Sequence, residues 1–436
     1  MTDHTAQTRT VRRTSDDAEV FEADLCVVGA GISGVACAAT AARLGRRVIL
    51  ADSVPWIGGQ AVGVPIGTIA GLYSCGAAER QTLLSPLFAE ELLDHLLVRQ
   101  AAWLMYSQRA RTLIVVYDDA ELERLFESLL CEAGVTTLPG ATAISVERQL
   151  DRITSVTLAT RFGLVRIRAP LYVDATGDAA LTWLAGAPCR ESADPVYGTQ
   201  MAVLENVALP SGEDVVSIAR RAEELLRAHA ADYGLSRLES RVFLLPQRGL
   251  AVLNATHQPT PLHPVAFWQA AWPARREAAQ AAQLLRDHYP AVFGPARLRR
   301  LGYPGMRQTR TIVGEYMLTV EDVLAGRRFP DAIARVAWPI ELHDSAASYR
   351  WQPFPDGHIY TIPYRALLSP ELTNLLAIGR CIDAEPAALS SARVMGPCIA
   401  MGVAAAHAAD LASFAHWSFR DIDLPRLQER LQRNLS

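Results

Sequence analysis

Three glycines at fixed spacing carry the first chemical signal in this chain. Val27-Val28-Gly29-Ala30-Gly31-Ile32-Ser33-Gly34 is a GxGxxG run. In such a run Gly29 permits a tight turn, Gly31 lets the backbone approach a pyrophosphate, and Gly34 allows a helix to pack closely on a strand. Asp52 follows 18 residues after Gly34, where a carboxylate accepts hydrogen bonds from a ribose 2′-OH. Two later segments again set glycine beside polar groups: Gly58-Gly59-Gln60 and Ala175-Thr176-Gly177-Asp178. The first can pass beside the pyrophosphate of an extended dinucleotide. A second GxGxxG does not occur, which argues against a dedicated NAD(P)H domain. Histidines and carboxylates show no HExxH or other ligand spacing, so no metal site is expected. The seven cysteines form no CxxC and read as buried free thiols of a reducing compartment.

The elements that must position these residues follow from the pattern around them. Residues 23–28 form a short apolar run, a buried parallel strand. An alanine-rich helix is expected over 33–44, closed by Gly45, and a second strand over 46–51, which makes a βαβ unit. Residues 55–73 are rich in Gly and Pro and read as a loop. Helices are expected over 88–100 and 119–133. Alternating segments at 143–147, 153–159 and 164–167 predict a β-meander, followed by a buried strand that runs into Gly177. Residues 188–369 differ in character, with many of the prolines, half of the tryptophans and a helix at 215–233. A strand at 375–378 and a small-residue helix at 392–412 return to the earlier style.

Bulk composition limits the alternatives. A chain of 436 residues exceeds the size at which one core stops growing, so two domains are expected. Its net charge of −4 gives no global attraction to nucleic acid or to an anionic membrane. Residues 1–20 are expected to be a disordered tail; they lack the apolar region of a secretory signal. With no uninterrupted apolar run of membrane-spanning length, a cytoplasmic location is expected.

The C-terminal part holds a third motif. Ile378-Gly379-Arg380-Cys381-Ile382-Asp383 is followed by Ser391-Ala392-Arg393-Val394-Met395-Gly396-Pro397-Cys398-Ile399-Ala400-Met401-Gly402. Here the sequence resembles the FAD-dependent oxidoreductases related to the fumarate reductase flavoprotein fold. Those proteins show a GRC strand end, then an RVM-x-x-C-x-x-MG stretch opening an alanine-rich helix. The chain departs mildly afterwards, with Val403-Ala404-Ala405-Ala406 where the family more often has a Gln-Ala-Ala-Gly-like run. Further matching blocks are Arg307-Gln308-Thr309-Arg310, Gly314-Glu315-Tyr316, Trp338 to His343, and Ile362-Pro363-Tyr364-Arg365. The resemblance implies FAD as cofactor and an α/β fold, a Rossmann-like FAD-binding domain of the glutathione reductase type with a β-meander. That domain, 21–187 plus 370–436, would be interrupted by an α+β substrate domain at 188–369. The resemblance puts Asp383 near the ribityl or pyrophosphate part of FAD, and Gly379 is a further expected cofactor-binding residue. It puts Arg393, Gly396, Met401 and Gly402 beside the isoalloxazine, where a helix N-terminus stabilises the negative charge of reduced flavin.

Substrate contacts are expected from Arg307, Arg310, His343, Tyr360 and Arg365. An arginine near the flavin can hold a carboxylate through a bidentate fork, His343 can accept a proton, and Tyr360 can donate a hydrogen bond. Each has a plain structural alternative: a salt bridge between domains for Arg310, a satisfied core histidine for His343, packing for Tyr360. His257, His263 and His358 show no partner pattern and read as surface or loop residues. Trp268, Trp272, Trp338 and Trp351 could line an apolar pocket, and Cys75 is a candidate for a covalent flavin link. The implied activity is a dehydrogenase or oxidase moving hydride between a small organic molecule and flavin N5, and the arginines suggest an acidic group on that molecule. Reduction of an activated double bond, monooxygenation and a non-catalytic flavin-binding subunit are the alternatives. A haem CxxCH and an iron–sulfur cysteine set are missing from the sequence, so the electron acceptor is expected to be external or oxygen. A homo-oligomer is compatible with this composition.

Overall fold

The computed structural model describes residues 18–194, 196–210, 212 and 214–436; most of the expected tail lies outside the described residues. Its last part does not behave as a tail. Glu19–Glu22 is a strand paired in parallel with Gly163–Arg168, which extends the expected meander by one strand.

The centre is a five-stranded parallel sheet. Its order is Leu375–Ala377, Leu171–Asp174, Leu25–Val28, Val48–Asp52 and Thr136–Pro139. The first three strands are buried at every position, as continuous apolar runs covered on both faces require. Thr136–Pro139 is largely exposed and ends in a proline, which only an edge strand tolerates. The helix Ile32–Arg43 links two adjacent strands of this sheet. Parallel neighbours need such a crossover, so the βαβ unit is dictated locally. The meander forms a second sheet: Thr142–Gln149, Arg152–Thr160 and Gly163–Arg168 pair antiparallel in sequence.

The long C-terminal helix starts later than its composition suggests. Pro386–Ala392 is a separate short helix, and Val394 is extended before Met395–Ala412 begins. By length and composition Met395–Ala412 could cross a membrane, yet 89% of it is buried inside the protein. Its small residues explain this. A Cβ on Gly402 would lie 2.3 Å from the Ser33 carbonyl oxygen, so only glycine lets this helix lie against Ile32–Arg43.

Residues between the last two core strands build a four-stranded antiparallel sheet. Its order is Arg241–Leu245, Leu250–Asn254, Ala202–Glu205, Arg297–Leu301. One face packs on the helices Val215–Ala228 and Pro264–His288. From the other face Met201, Val203 and Val252 meet Val64 and Ile66 of the glycine- and proline-rich loop. This second contact closes the sheet over the nucleotide-binding motif. The hairpin Ala102–Ser107 and Thr112–Tyr117 also borders this region; its tight turn lacks a glycine signal, and Arg111 takes a positive φ instead.

Candidate active site

A cavity of about 640 Å³ runs from the GxGxxG loop to the underside of the four-stranded sheet. That volume is the size of a small-molecule or cofactor site.

The phosphate end is made by absent side chains. Gly29 has φ +108, and a Cβ there would sit 2.2 Å from the Ala175 carbonyl oxygen. Gly34 is closed in the same way by the Gly29 carbonyl at 1.8 Å. Gly31 is the opposite case: a Cβ would meet no atom within 4 Å, because the position faces the cavity. Gly31 also caps the helix Ile32–Arg43 without any side-chain hydrogen bond. The free N–H groups of that helix end therefore open beside Ile32 and Ser33, which line the cavity. An uncapped helix N-terminus with a glycine-cleared approach is an anion cradle. Asp52 also lines the cavity. Its carboxylate accepts from Ala30 N–H at 2.6 Å and Val54 N–H at 3.0 Å, and burial raises its pKa. Asp52 thus ties the glycine loop to the second strand and keeps lone pairs for a ligand hydroxyl.

Gly58, Gly59 and Gln60 form the next wall. Gly58 pairs with Gly31 through an isolated bridge, and the Gln60 side-chain oxygen accepts from Met306 N–H at 3.2 Å. Opposite them is the turn at Gly177-Asp178. Buried Asp174 organises it by accepting from Thr176, Leu181 and Thr182, and the Cys381 sulfur accepts from Gly177 N–H at 3.0 Å. Gly177, at φ +77, leaves room for the Arg380 guanidinium, which a Cβ would meet at 2.3 Å. Arg380 is ion-paired with Asp178 at 3.6 Å, and its Nη1 is buried without a partner. Gly379 meets Ser33 and lines the same space.

The inner end gathers Arg307, Glu341, His343, Tyr349, Trp338, Trp351 and Arg393. His343 is buried; its Nδ1 lies 2.9 Å from His257 Nε2, and its Nε2 lies 3.3 Å from Glu341 Oε1. Tyr349 stacks on the His343 ring at 4.8 Å. Arg307 donates to the Tyr197 carbonyl at 2.7 Å, and Arg237, fully buried behind it, donates to Asn254 and to the Thr256 carbonyl. Nε of both Arg237 and Arg393 has no partner. Burial pulls the pKa of Arg237 and Arg393 to about 10, and burial with neighbouring arginines holds Arg307 well below its ordinary value. His343 is held well below the usual histidine range by burial, then by Arg307, Arg237, Arg393 and Arg109. The site is thus rich in positive charge and holds its histidine neutral.

Several expected site residues lie elsewhere. Arg310 is paired with Glu191 at 3.2 Å and stacked over Trp183 at 4.7 Å. Arg365 is paired with Asp331 at 2.9 Å, and the Tyr360 hydroxyl is spent on Ser391 at 2.8 Å. None of the three lines the cavity. Asp383 also stands off it, fully buried and satisfied by Arg190 at 3.0 Å and Gly314 N–H at 2.8 Å. Gly396, Met401 and Gly402 are packing positions: Gly396 fits under the Gly71 carbonyl and donates to Ala70, and Met401 is fully buried. Only Arg393, Val394, Met395 and Cys398 of this stretch reach the cavity. Cys75 does not; its thiol donates to the Pro355 carbonyl. Of the four tryptophans, Trp338 and Trp351 line the cavity, while Trp268 and Trp272 pack against each other at a tilt outside it.

Three functional groups escape a reading of the sequence. His257 is buried in contact with His343, not at the surface. Arg237 lies in an irregular stretch with no periodic signal. Glu341 had one available clue: it precedes His343 by two, the spacing that shares a face in extended chain, and the short strand Ile340–Leu342 ends just before His343.

These features fit a dinucleotide along the whole cavity. The Gly31 cradle, the uncapped helix end and the unpartnered Arg380 nitrogen each await a polar ligand. The sequence profile of the FAD dependent oxidoreductase family matches residues 24–431. No curated protein matches the chain significantly. Among solved structures, a geranylgeranyl bacteriochlorophyll reductase-like protein from Thermoplasma acidophilum is 11% identical, with a TM-score of 0.48; the match covers 95% of this chain and 83% of that one. PqsL from Pseudomonas aeruginosa, in complex with 2-aminobenzoylacetate, is 16% identical over 95% and 93%, with a TM-score of 0.43. The p-nitrophenol 4-monooxygenase PnpA from Pseudomonas putida is 10% identical over 96% and 82%, with a TM-score of 0.44. Identity rests on the match along the chain itself: this protein belongs to the FAD-dependent oxidoreductase family and is a flavoenzyme with FAD as its cofactor.

Proposed function

We propose that the enzyme oxidises a small organic acid, with hydride passing between a substrate carbon and flavin N5. One observation carries this reading. Arg307, Arg393 and the supporting Arg237 converge on a site whose carboxylate is Glu341, and among the described residues none of the three arginines is ion-paired. Three buried cations facing one carboxylate are under-compensated, which is costly, so the site is built to take a further anion, and a guanidinium fork suits a carboxylate.

FAD, when bound, supplies a two-electron acceptor or donor. Gly29, Gly31 and Gly34 with the helix end would hold its pyrophosphate, Asp52 its ribose, and Gly58, Gly59, Gln60, Gly177, Asp178 and Gly379 its length. The polypeptide's own part is to hold the substrate carboxylate at Arg307 and Arg393, to exclude water with Trp338, Trp351 and Tyr349, and to take a proton at His343 or Glu341. The segment 188–369 acts as the substrate domain and closes over a FAD-binding unit made from 21–187 and 370–436. Supporting this division, Leu375–Ala377 hydrogen-bonds to Leu171–Asp174 across the whole intervening segment. Oxygen or another external acceptor would reoxidise the flavin.

The test is anaerobic bleaching of the purified yellow protein. A panel of 2-hydroxy and 2-amino acids is compared with the matching amides and esters. Bleaching by acids but not by their neutral analogues is expected. Equal bleaching by both, or bleaching by neutral compounds alone, refutes the acidic substrate.

A further inference from the structure

Beyond the flavin cavity's arginines, a line of polar contacts crosses the site wall: Ser345 carbonyl to His257 Nδ1 at 3.0 Å, His257 Nε2 to His343 Nδ1 at 2.9 Å, and His343 Nε2 to Glu341 Oε1 at 3.3 Å. Donor arithmetic along it is constrained. A carbonyl only accepts, so His257 Nδ1 carries hydrogen. His257 is buried and faces Arg237 and Arg307, which keep it neutral, so its Nε2 is bare and accepts. His343 Nδ1 must then carry hydrogen and donate. A neutral His343 therefore turns a bare Nε2 towards Glu341, and two acceptors cannot bond. One more proton is needed to make the contact.

We propose that His343 Nε2 and Glu341 share one exchangeable proton taken from the substrate, and that His257 is the positioning residue that fixes the His343 tautomer for this. The direction of transfer rests on the hydride reading above; the tautomer does not. In the oxidation of a substrate H–C–X–H, the carbon loses hydride to FAD, the X–H bond breaks with its electron pair remaining to form C=X, and the proton goes to the His343–Glu341 pair. The charged and titratable groups around the pair are Arg307, Arg237, Arg393, Arg109, Tyr349 and His257. This preponderance of cations favours a carboxylate on the substrate while it disfavours a free imidazolium. Glu341 is the group that makes holding the proton affordable at this position: it lines the cavity and is one-quarter exposed.

Histidine-selective ¹⁵N NMR and infrared spectroscopy of the FAD-loaded protein at neutral pH test the tautomer without any substrate and the proton transfer with one. Wild type is expected to show Nδ1–H on both His257 and His343. Its His343 Nε2 should be bare at rest, and anaerobic reduction by a bleaching acid should add either an Nε2–H on His343 or a protonated-carboxyl band that is missing in Glu341→Gln. His257→Gln keeps an acceptor for His343 Nδ1–H and should keep the tautomer; His257→Phe should shift the hydrogen to Nε2. With a bleaching acid in hand, His257→Phe should slow flavin reduction about 10²-fold, the low end of a general base's contribution, and His257→Gln should restore most of it. A bare Nδ1 on His343 in wild type, or an Nε2–H already present before any substrate is added, overturns the proposal. So do identical tautomers in His257→Phe and His257→Gln. Expected tautomers with no acid that bleaches the flavin would instead refute the hydride reading and leave the tautomer fixed by His257 standing.

Discussion

Gly31 and Gly34 stand three residues apart in one motif, yet the structure assigns them opposite consequences. At Gly31 the backbone is extended, φ −68° and ψ 176°, which any residue adopts, and an added Cβ meets no atom within 4 Å. Gly31→Ala should therefore leave the polypeptide intact or stabilise it by about 0.4–1 kcal/mol, through reduced freedom of the unfolded chain. A larger side chain, Gly31→Val, projects into the phosphate cradle. Losing the helix-end interaction alone costs about 2 kcal/mol, or about 30-fold in FAD affinity, before any steric exclusion is added. At Gly34 a Cβ would lie 1.8 Å from the Gly29 carbonyl oxygen, so Gly34→Ala must push the helix off the strand. That overpacking costs about 1–3 kcal/mol or more. Flavin absorbance per polypeptide and the urea midpoint of the apoprotein separate the two effects. Gly31→Val should lose flavin at an unchanged midpoint, while Gly34→Ala should lose both. Full flavin content in Gly31→Val, or a midpoint that falls as far as that of Gly34→Ala, would refute this account of the cradle.

Two further outcomes follow from groups away from the phosphates. His257 has a folded pKa depressed by burial and by Arg237 and Arg307, so below about pH 6.5 the unfolded chain takes up a proton that the folded one refuses. The associated stability is present above that pH and is lost as pH falls; between pH 7.5 and 5.5 the loss is about 1.4 kcal/mol. Urea midpoints across this range should fall more steeply in wild type than in His257→Gln, the difference matching this loss, while buried His343 contributes to both slopes; parallel slopes would place His257 in contact with water. Tyr360→Phe should cost about 1 kcal/mol, because Ser391 keeps its bond to the Trp338 carbonyl, with no change in flavin affinity. A tenfold drop in affinity would return Tyr360 to the site.

Local signals were legible from the sequence where the chemistry is local. The glycine spacing, Asp52 and the buried strand ending at Asp174 lie within short stretches whose backbone needs define them. Gly177 and Arg393 were also found, since a turn and a helix opening mark them. What escaped is what the tertiary structure alone assembles. His257 and His343 meet from two segments far apart in sequence, and Arg237 lies buried in a stretch without periodicity. The motif after Gly379 misled in detail for a physical reason. A run of small residues at a cofactor site serves both close approach to a ligand and close packing of helices, and composition cannot separate them. Gly396 and Gly402 do the second, whereas Arg393 and Cys398 line the cavity. Arg310, Tyr360 and Arg365 each have a partner that consumes their polar group, and no sequence pattern announces those partners.

The strand Leu375–Ala377, paired to Leu171–Asp174, also bears on how the protein is made. A ribosome delivers the glycine cradle early, but the edge of Leu171–Asp174 stays open until the whole segment 175–374 has emerged and folded aside. Arg380 and Arg393, which complete the cavity, arrive later still. Contacts of such sequence separation form slowly, and an unpaired parallel strand is exposed to aggregation while it waits. Cofactor capture is thereby a late event in biogenesis. Nascent chains halted before residue 375 should hold a folded βαβ unit but retain no flavin, and the supply of FAD during synthesis should govern how much of the enzyme reaches its native state.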